Sequence, residues 1–181
     1  MKAAIVATIY TIGHSTRTLD ELVRALKAHD IRALADIRAF PVSRRVPHFN
    51  REVLEGELPA HGIEYRWVKE LGGYRKKILD DSPNVALRNE SFRNYADYMM
   101  SEEFVTAVSE LARLAERSPT AYMCAERSYL QCHRRLVSDW LFARGNEVLH
   151  IDGEGPTQAH TLTSEARLVN GQVIYSGDRL F

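Results

Sequence analysis

Short apolar runs alternate along this chain with longer stretches whose apolar residues recur every three or four positions. The runs are Ile5 to Ile12, Ala33 to Ile37, Ile63 to Val68, Thr120 to Cys124 and Val148 to Ile151. Their length and β-branched content predict strands. Between them, Leu19, Leu22, Val23 and Leu26 form a helical stripe, and Thr18 with Glu21 supplies a capping box at its start. Asn50 is placed to cap a helix through Val53, Leu54 and Leu58, with Gly62 ending that region. Two helices are predicted over 91–100 and 102–117, the second carrying Phe104, Val108, Leu111, Leu114 and Ala115, and a further helix over Leu136 to Phe142. Asn170-Gly171 between two apolar runs predicts a hairpin. The alternation predicts one α/β domain over 1–181. Its sheet is largely parallel with helices on both faces, and the C-terminal antiparallel hairpin can add an edge.

Composition narrows the function. With 181 residues, the chain is long enough for one substantial core. Its 24 basic and 24 acidic residues balance, which argues against a general polyanion coat but not against a local basic site. The apolar run from Ala3 to Ile12 is too short to span a bilayer and lacks the cleavage signature of a secretory leader, so no membrane role is expected. The two cysteines make no disulfide framework, and reduced thiols in the cytoplasm are expected.

Polar residues collect where the predicted strands end. His14 and Ser15 follow the first, Asp36 and Arg38 end the second, Cys124 and Glu126 end the fourth, and His150 and Asp152 close the last. In open parallel sheets, ligands bind along that edge. The loop after the second strand adds Arg44, Arg45 and His48. Guanidinium forks near a helix start suit a phosphate or carboxylate, although an isolated arginine pair is more often a solvated loop charge.

Both cysteines lie within Cys124-Ala125-Glu126 and Cys132-His133-Arg134. Ser128 and Gln131 fit a capping box, which predicts Cys132 in or just after the first turn of a helix, where a thiol beside His133, Arg134 and Arg135 is a candidate for nucleophilic character. The plain alternative is a pair of inert, buried thiols. A thiol-phosphatase loop fails, because Leu130 stands where its arginine would be. Zinc on Cys124, Cys132 and His133, with His14 or Asp36 as fourth ligand, has suitable donors. However, the spacing matches no usual knuckle, and neighbours on a helix point apart, so zinc is not favoured. The cofactor stays unassigned.

Several blocks carry a family resemblance: Tyr10 to Ser15, Asp36 to Pro41, Ser43-Arg44-Arg45, Phe49-Asn50, Leu71-Gly72-Gly73, Cys124-Ala125-Glu126, Cys132-His133-Arg134, and His160 to Thr163 with Ala166. Together, in this order, they resemble the signature of the domain-of-unknown-function 488 family. Membership implies no particular reaction. It implies that these blocks build one shared site or scaffold.

The leading expectation is an enzyme acting on a phosphate-bearing substrate, a nucleotide or nucleic-acid fragment. In it, Ser15, Asp36, Arg38, Arg44, Arg45, His133 and Arg134 bind substrate, Glu126 or His14 serves as acid or base, and Cys124 or Cys132 as nucleophile. One alternative is a non-catalytic nucleotide or nucleic-acid module stacking bases on Phe49, Tyr65 and Tyr74. The other is a metal-dependent or thiol-redox protein. Phe40, Pro41 and Trp67 are expected to pack. Oligomeric state is not legible.

Overall fold

The computed structural model describes residues 6–177. The start of the first predicted run, Ala3 to Ile5, lies outside the described residues. Five strands run parallel: β1 (Thr8–Gly13), β2 (Ala33–Asp36), β3 (Glu64–Trp67), β4 (Thr120–Cys124) and β5 (Glu147–Ile151). The helices between them are α1 (Leu19–Ala28), α2 (Arg51–Glu57), α3 (Glu90–Tyr98), α4 (Glu102–Arg117) and α5 (Arg134–Ala143). A two-residue strand, β6 (Gln158–Ala159), pairs antiparallel with β5, giving the order β3-β2-β4-β1-β5-β6. The hairpin β7 (Ala166–Val169) and β8 (Gln172–Tyr175) forms its own two-stranded sheet. The antiparallel edge therefore comes from β6, a segment too short and polar to show as a strand in the sequence.

Side-chain alternation splits the core in two. Ile12, Leu34, Ala121, Met123 and Ile151 pack with Leu22, Leu26 and Leu54 of α1 and α2. Ile9, Ala35, Tyr122 and Val148 pack with Tyr95, Phe104, Leu136 and Tyr175, which belong to α3, α4, α5 and the hairpin. The Thr18–Glu21 capping box forms in full, an arrangement worth about 1 kcal/mol. Asn170 and Gly171 take the positive φ angles, 50° and 78°, of the predicted turn. No helix among the described residues is long and apolar enough to cross a membrane.

Local differences concern side chains drawn elsewhere. Asn50 occupies the N-cap position of α2 but its Oδ1 accepts from Ser43 N at 2.6 Å instead of capping. Ser128 does not cap a helix either. Tyr129–Gln131 is a single 3₁₀ turn, Cys132 is extended (φ −139°, ψ 154°), and α5 starts only at Arg134. Phe40 is exposed rather than packed.

The chain leaves β1 toward β2 on one side and later crosses from β4 to β5 on the other. The C-terminal ends of β4, β1 and β5 therefore frame the crevice of a parallel sheet. Pairing continues past the strands: His14 N donates to Cys124 O at 2.9 Å and Ser15 N to Ala125 O at 2.8 Å. Gly13 permits this approach, since a Cβ there would lie 1.8 Å from the Glu126 carbonyl oxygen.

Candidate functional site

On the α1–α2 side of the sheet edge, every side-chain nitrogen of Arg38 has a partner. Its Nε and Nη2 donate to the two Asp36 carboxylate oxygens at 2.9 and 2.6 Å, and Nη2 also donates to Phe49 O at 2.6 Å. Tyr65 Oη donates to Asp36 Oδ2 at 2.5 Å. The last Arg38 arm, Nη1, donates to His14 Nε2 at 3.2 Å, while His14 Nδ1–H donates to Ser15 O at 2.8 Å. These partners fix the neutral tautomer of His14. Burial is the main reason its pKa falls to about 4, and the nearby Arg38 cation adds to it. Its ring stacks on the buried Phe49 at 4.4 Å. Asp36 and Arg38 are thus a buried, mutually neutralised pair that braces His14. Neither offers a free arm to a substrate, His14 has no uncommitted nitrogen, and Phe49 is closed to a stacking base.

A cavity of about 660 Å³ opens beside this brace, at the ends of β1, β4 and β5. His14 and Ser15 reach it from β1, Glu126 and Arg127 from the loop after β4, Arg134 from α5, and His150 and Asp152 from β5. Arg45 and Tyr129 line it as well. Of the residues expected from the sequence, it therefore gathers His14, Ser15, Arg45, Glu126 and Arg134. Arg44 is exposed and outside the lining. Cys124, Cys132 and His133 lie behind the wall. Glu126 is exposed, and among the described residues its carboxylate has no hydrogen bond or ion pair. Asp152, by contrast, is tied to Arg127 at 2.8 Å, and that bond holds its carboxyl below the usual range.

Arg134 differs from Arg38 in its partners. Only 1% of it is exposed, yet among the described residues it meets no carboxylate. Its Nη2 donates to the carbonyls of Glu126 (2.6 Å) and Arg127 (3.0 Å), Nη1 donates to Thr11 Oγ1 (2.7 Å), and Nε has no partner. A buried cation left without an anion is costly, and a buried donor left unpaired adds about 1–3 kcal/mol.

From Arg134 a buried chain of hydrogen bonds runs inward. Thr11 Oγ1 lies 3.2 Å from His150 Nδ1, His150 Nε2 lies 3.0 Å from His160 Nδ1, and His160 Nε2 lies 2.9 Å from Asp139 Oδ1. Asp139 also accepts from Thr163 N at 2.9 Å and Tyr175 Oη at 2.8 Å. Arg134 can only donate and Asp139, when ionised, can only accept, so the chain joins a donor end to an acceptor end. His150 is held neutral, its pKa lowered to about 3, chiefly by burial, with the Arg134 cation adding to it. Tyr129 stacks on its ring at 3.5 Å, with the planes 3° apart. Sequence reasoning missed Thr11, Asp139 and the role of His160. The available signals were a threonine inside a buried strand, an aspartate on the apolar face of α5, and the His160 block already marked by resemblance.

Behind the cavity wall, Cys124 Sγ and Cys132 Sγ lie 3.8 and 3.7 Å from His133 Nδ1. The expectation that Cys132 and His133 point apart is corrected here. They precede α5, and the extended Cys132 backbone turns both side chains onto Cys124. The thiols are free. The hydrogen bond from Cys132 is the main reason the Cys124 thiol is lowered, while that bond and burial push Cys132 up to about 12.

The family model for Domain of unknown function DUF488 matches residues 18–141, well over half of the chain. The match spans Asp36, Arg38, both cysteines and Arg134, while the Tyr10–Ser15 and His160–Ala166 blocks lie outside it. No curated protein and no solved structure matches the chain. From the matched residues and the resemblance of its blocks, the chain belongs to the DUF488 family.

Proposed function

We propose that the cavity at the ends of β1, β4 and β5 binds a phosphate-bearing small molecule, a nucleotide or nucleic-acid fragment, and that Glu126 acts on it as acid or base. The observation that carries this reading is Arg134, a buried cation in the cavity wall with an unpaired Nε and no carboxylate partner. An oxyanion at the cavity wall supplies the missing negative charge. Arg45, exposed at the same cavity, adds a second cation, and Tyr129 adds an aromatic wall of the kind that stacks bases. In a hydrolytic step Glu126 takes a proton from water, the water oxygen bonds phosphorus as the ester P–O bond breaks, and the proton passes to the leaving oxygen. Free thiols fit a reducing cytoplasm.

The second reading, binding without turnover, gains from the placement of the other expected catalytic groups. Both thiols lie behind the wall and both His14 nitrogens are engaged, which leaves Glu126 as the uncommitted acid or base of those expected. Calorimetric titration with inorganic phosphate and nucleoside monophosphates, followed by a phosphate-release assay on nucleotides, tests both. Phosphate binding that weakens in salt and in Arg45→Ala supports the site. Turnover lost in Glu126→Gln with binding retained supports the enzyme. Binding unchanged by Glu126→Gln with no turnover in either protein favours the module, and no binding of any of these anions overturns both readings.

A further inference from the structure

We propose that Cys124, Cys132 and His133 form a binding site for one transition-metal ion, zinc by the chemistry of its donors. The observation is convergence: one donor atom from each residue lies within 4.8 Å of the others, and all three residues are buried. Tetrahedral zinc with Zn–S near 2.3 Å and Zn–N near 2.0–2.1 Å sets sulfur and nitrogen ligands about 3.6 Å apart. Here the two Sγ–Nδ1 separations are 3.8 and 3.7 Å.

The imidazole is prepared for that role. His133 Nε2–H donates to Ile37 O at 3.0 Å, which places the proton on Nε2 and leaves the Nδ1 lone pair toward the sulfurs. A carbonyl on the far nitrogen is the usual outer partner of a metal-bound histidine. The ring is held from two other sides. Tyr95 sits 5.1 Å away, and Gly73 packs so closely that a Cβ there would lie 2.5 Å from Nδ1. Leu71-Gly72-Gly73 and Cys132-His133 are therefore two sides of one contact. Backbone also reaches the sulfur: Arg134 N–H points at Cys132 Sγ at 3.4 Å, a bond that stabilises a thiolate.

Soft thiolates with one imidazole select zinc over magnesium or calcium. Each thiol enters as thiolate and releases its proton to solvent, so two thiolates balance a divalent ion beside the Arg134 cation. The group contains no fourth His, Cys, Asp or Glu among the described residues, so the fourth position falls to a water or ligand atom. The ligands of this site are not those of the phosphate reading, and metal uptake is read without phosphate binding, so the two stand or fall separately.

The test uses untagged full-length chain, purified reduced, stripped with a chelator and titrated with Zn²⁺ or Co²⁺ against a chromophoric competitor. The expected result is one ion per chain, with cobalt showing the intense absorption of a tetrahedral thiolate complex. Cys124→Ser and Cys132→Ser weaken binding by more than the roughly 10–100-fold that loss of an outer partner costs. His61→Ala, an exposed histidine far along the sequence from the cluster, leaves it unchanged. If a serine variant fails to fold, the wild-type cobalt spectrum still decides, because it reports thiolate ligation directly. No uptake of either ion by the reduced chain, cobalt bound without thiolate absorption, or folded serine variants binding as tightly as wild type would overturn the site.

Discussion

Two buried arginines stand at the ends of neighbouring strands, on opposite sides of one sheet, and only one is neutralised in place. Arg38 has Asp36 across two charged hydrogen bonds. Arg134 has carbonyls, a threonine and an empty Nε. Both arginines are buried, and they differ in the charge balance around the side chain. Arg38 holds His14 and, through Phe49, the loop after β2. Arg134 is linked to its nearest buried carboxylate in the chain of hydrogen bonds, Asp139, only through Thr11, His150 and His160.

Stripping each cation of its setting separates the two arginines most clearly. Asp36→Asn leaves Arg38 buried without its anion, and we expect a loss of about 3–5 kcal/mol in a urea melt. Arg134→Met removes a cation that has no carboxylate to strand, so the expected loss is smaller, about 1–3 kcal/mol from the carbonyls left without a donor. An equal loss in the two variants would erase the distinction. Gly13→Ala sharpens the geometry common to both sides. Its Cβ meets the Glu126 carbonyl at 1.8 Å, and we expect about 1–3 kcal/mol of destabilisation together with a displaced Glu126 loop.

Histidines on both sides make acid a further probe. His14 and His150 are held neutral when folded, with pKa values near 4 and 3, against an ordinary value of 6.5. Above that ordinary value both states are neutral and the stability is intact. As pH falls below it, the unfolded chain takes up protons that the folded chain refuses, so stability declines toward pH 4. Replacing His14 with Gln should flatten this decline in denaturant melts between pH 7 and 4. An unchanged slope would show that His14 is protonated in the folded chain. The smallest effect on stability belongs to Glu126→Gln, within about 0.5 kcal/mol, since its exposed carboxylate has no partner to lose.

Periodicity carried most of the architecture. The strands at 8–13, 33–36, 120–124 and 147–151 are short, largely apolar runs mostly buried on both faces, while the edge strand at 64–67 alternates exposed and half-buried residues. Their parallel order then brings His14, Glu126, His150 and Asp152 to one edge. Two matters were not legible. Side chains alternate across the sheet, so residues equally close to strand ends separate: Asp36 goes to the α1–α2 side and Cys124 to the other. The start of α5 depended on a tertiary contact, because turning Cys132 and His133 inward onto Cys124 outweighs the local capping signal of Ser128 and Gln131. The pairing of Arg38 with Asp36, rather than with a ligand, likewise follows from strand-end geometry that spacing alone does not report.

The most direct test of the unneutralised Arg134 is a crystal structure grown with tungstate, a heavy phosphate mimic whose anomalous signal locates it without ambiguity. The expected result is one tungstate in the cavity, within hydrogen-bond distance of the Arg134 guanidinium and near Arg45. A cavity without anion, with Arg134 Nε satisfied by a protein carboxylate instead, would contradict it.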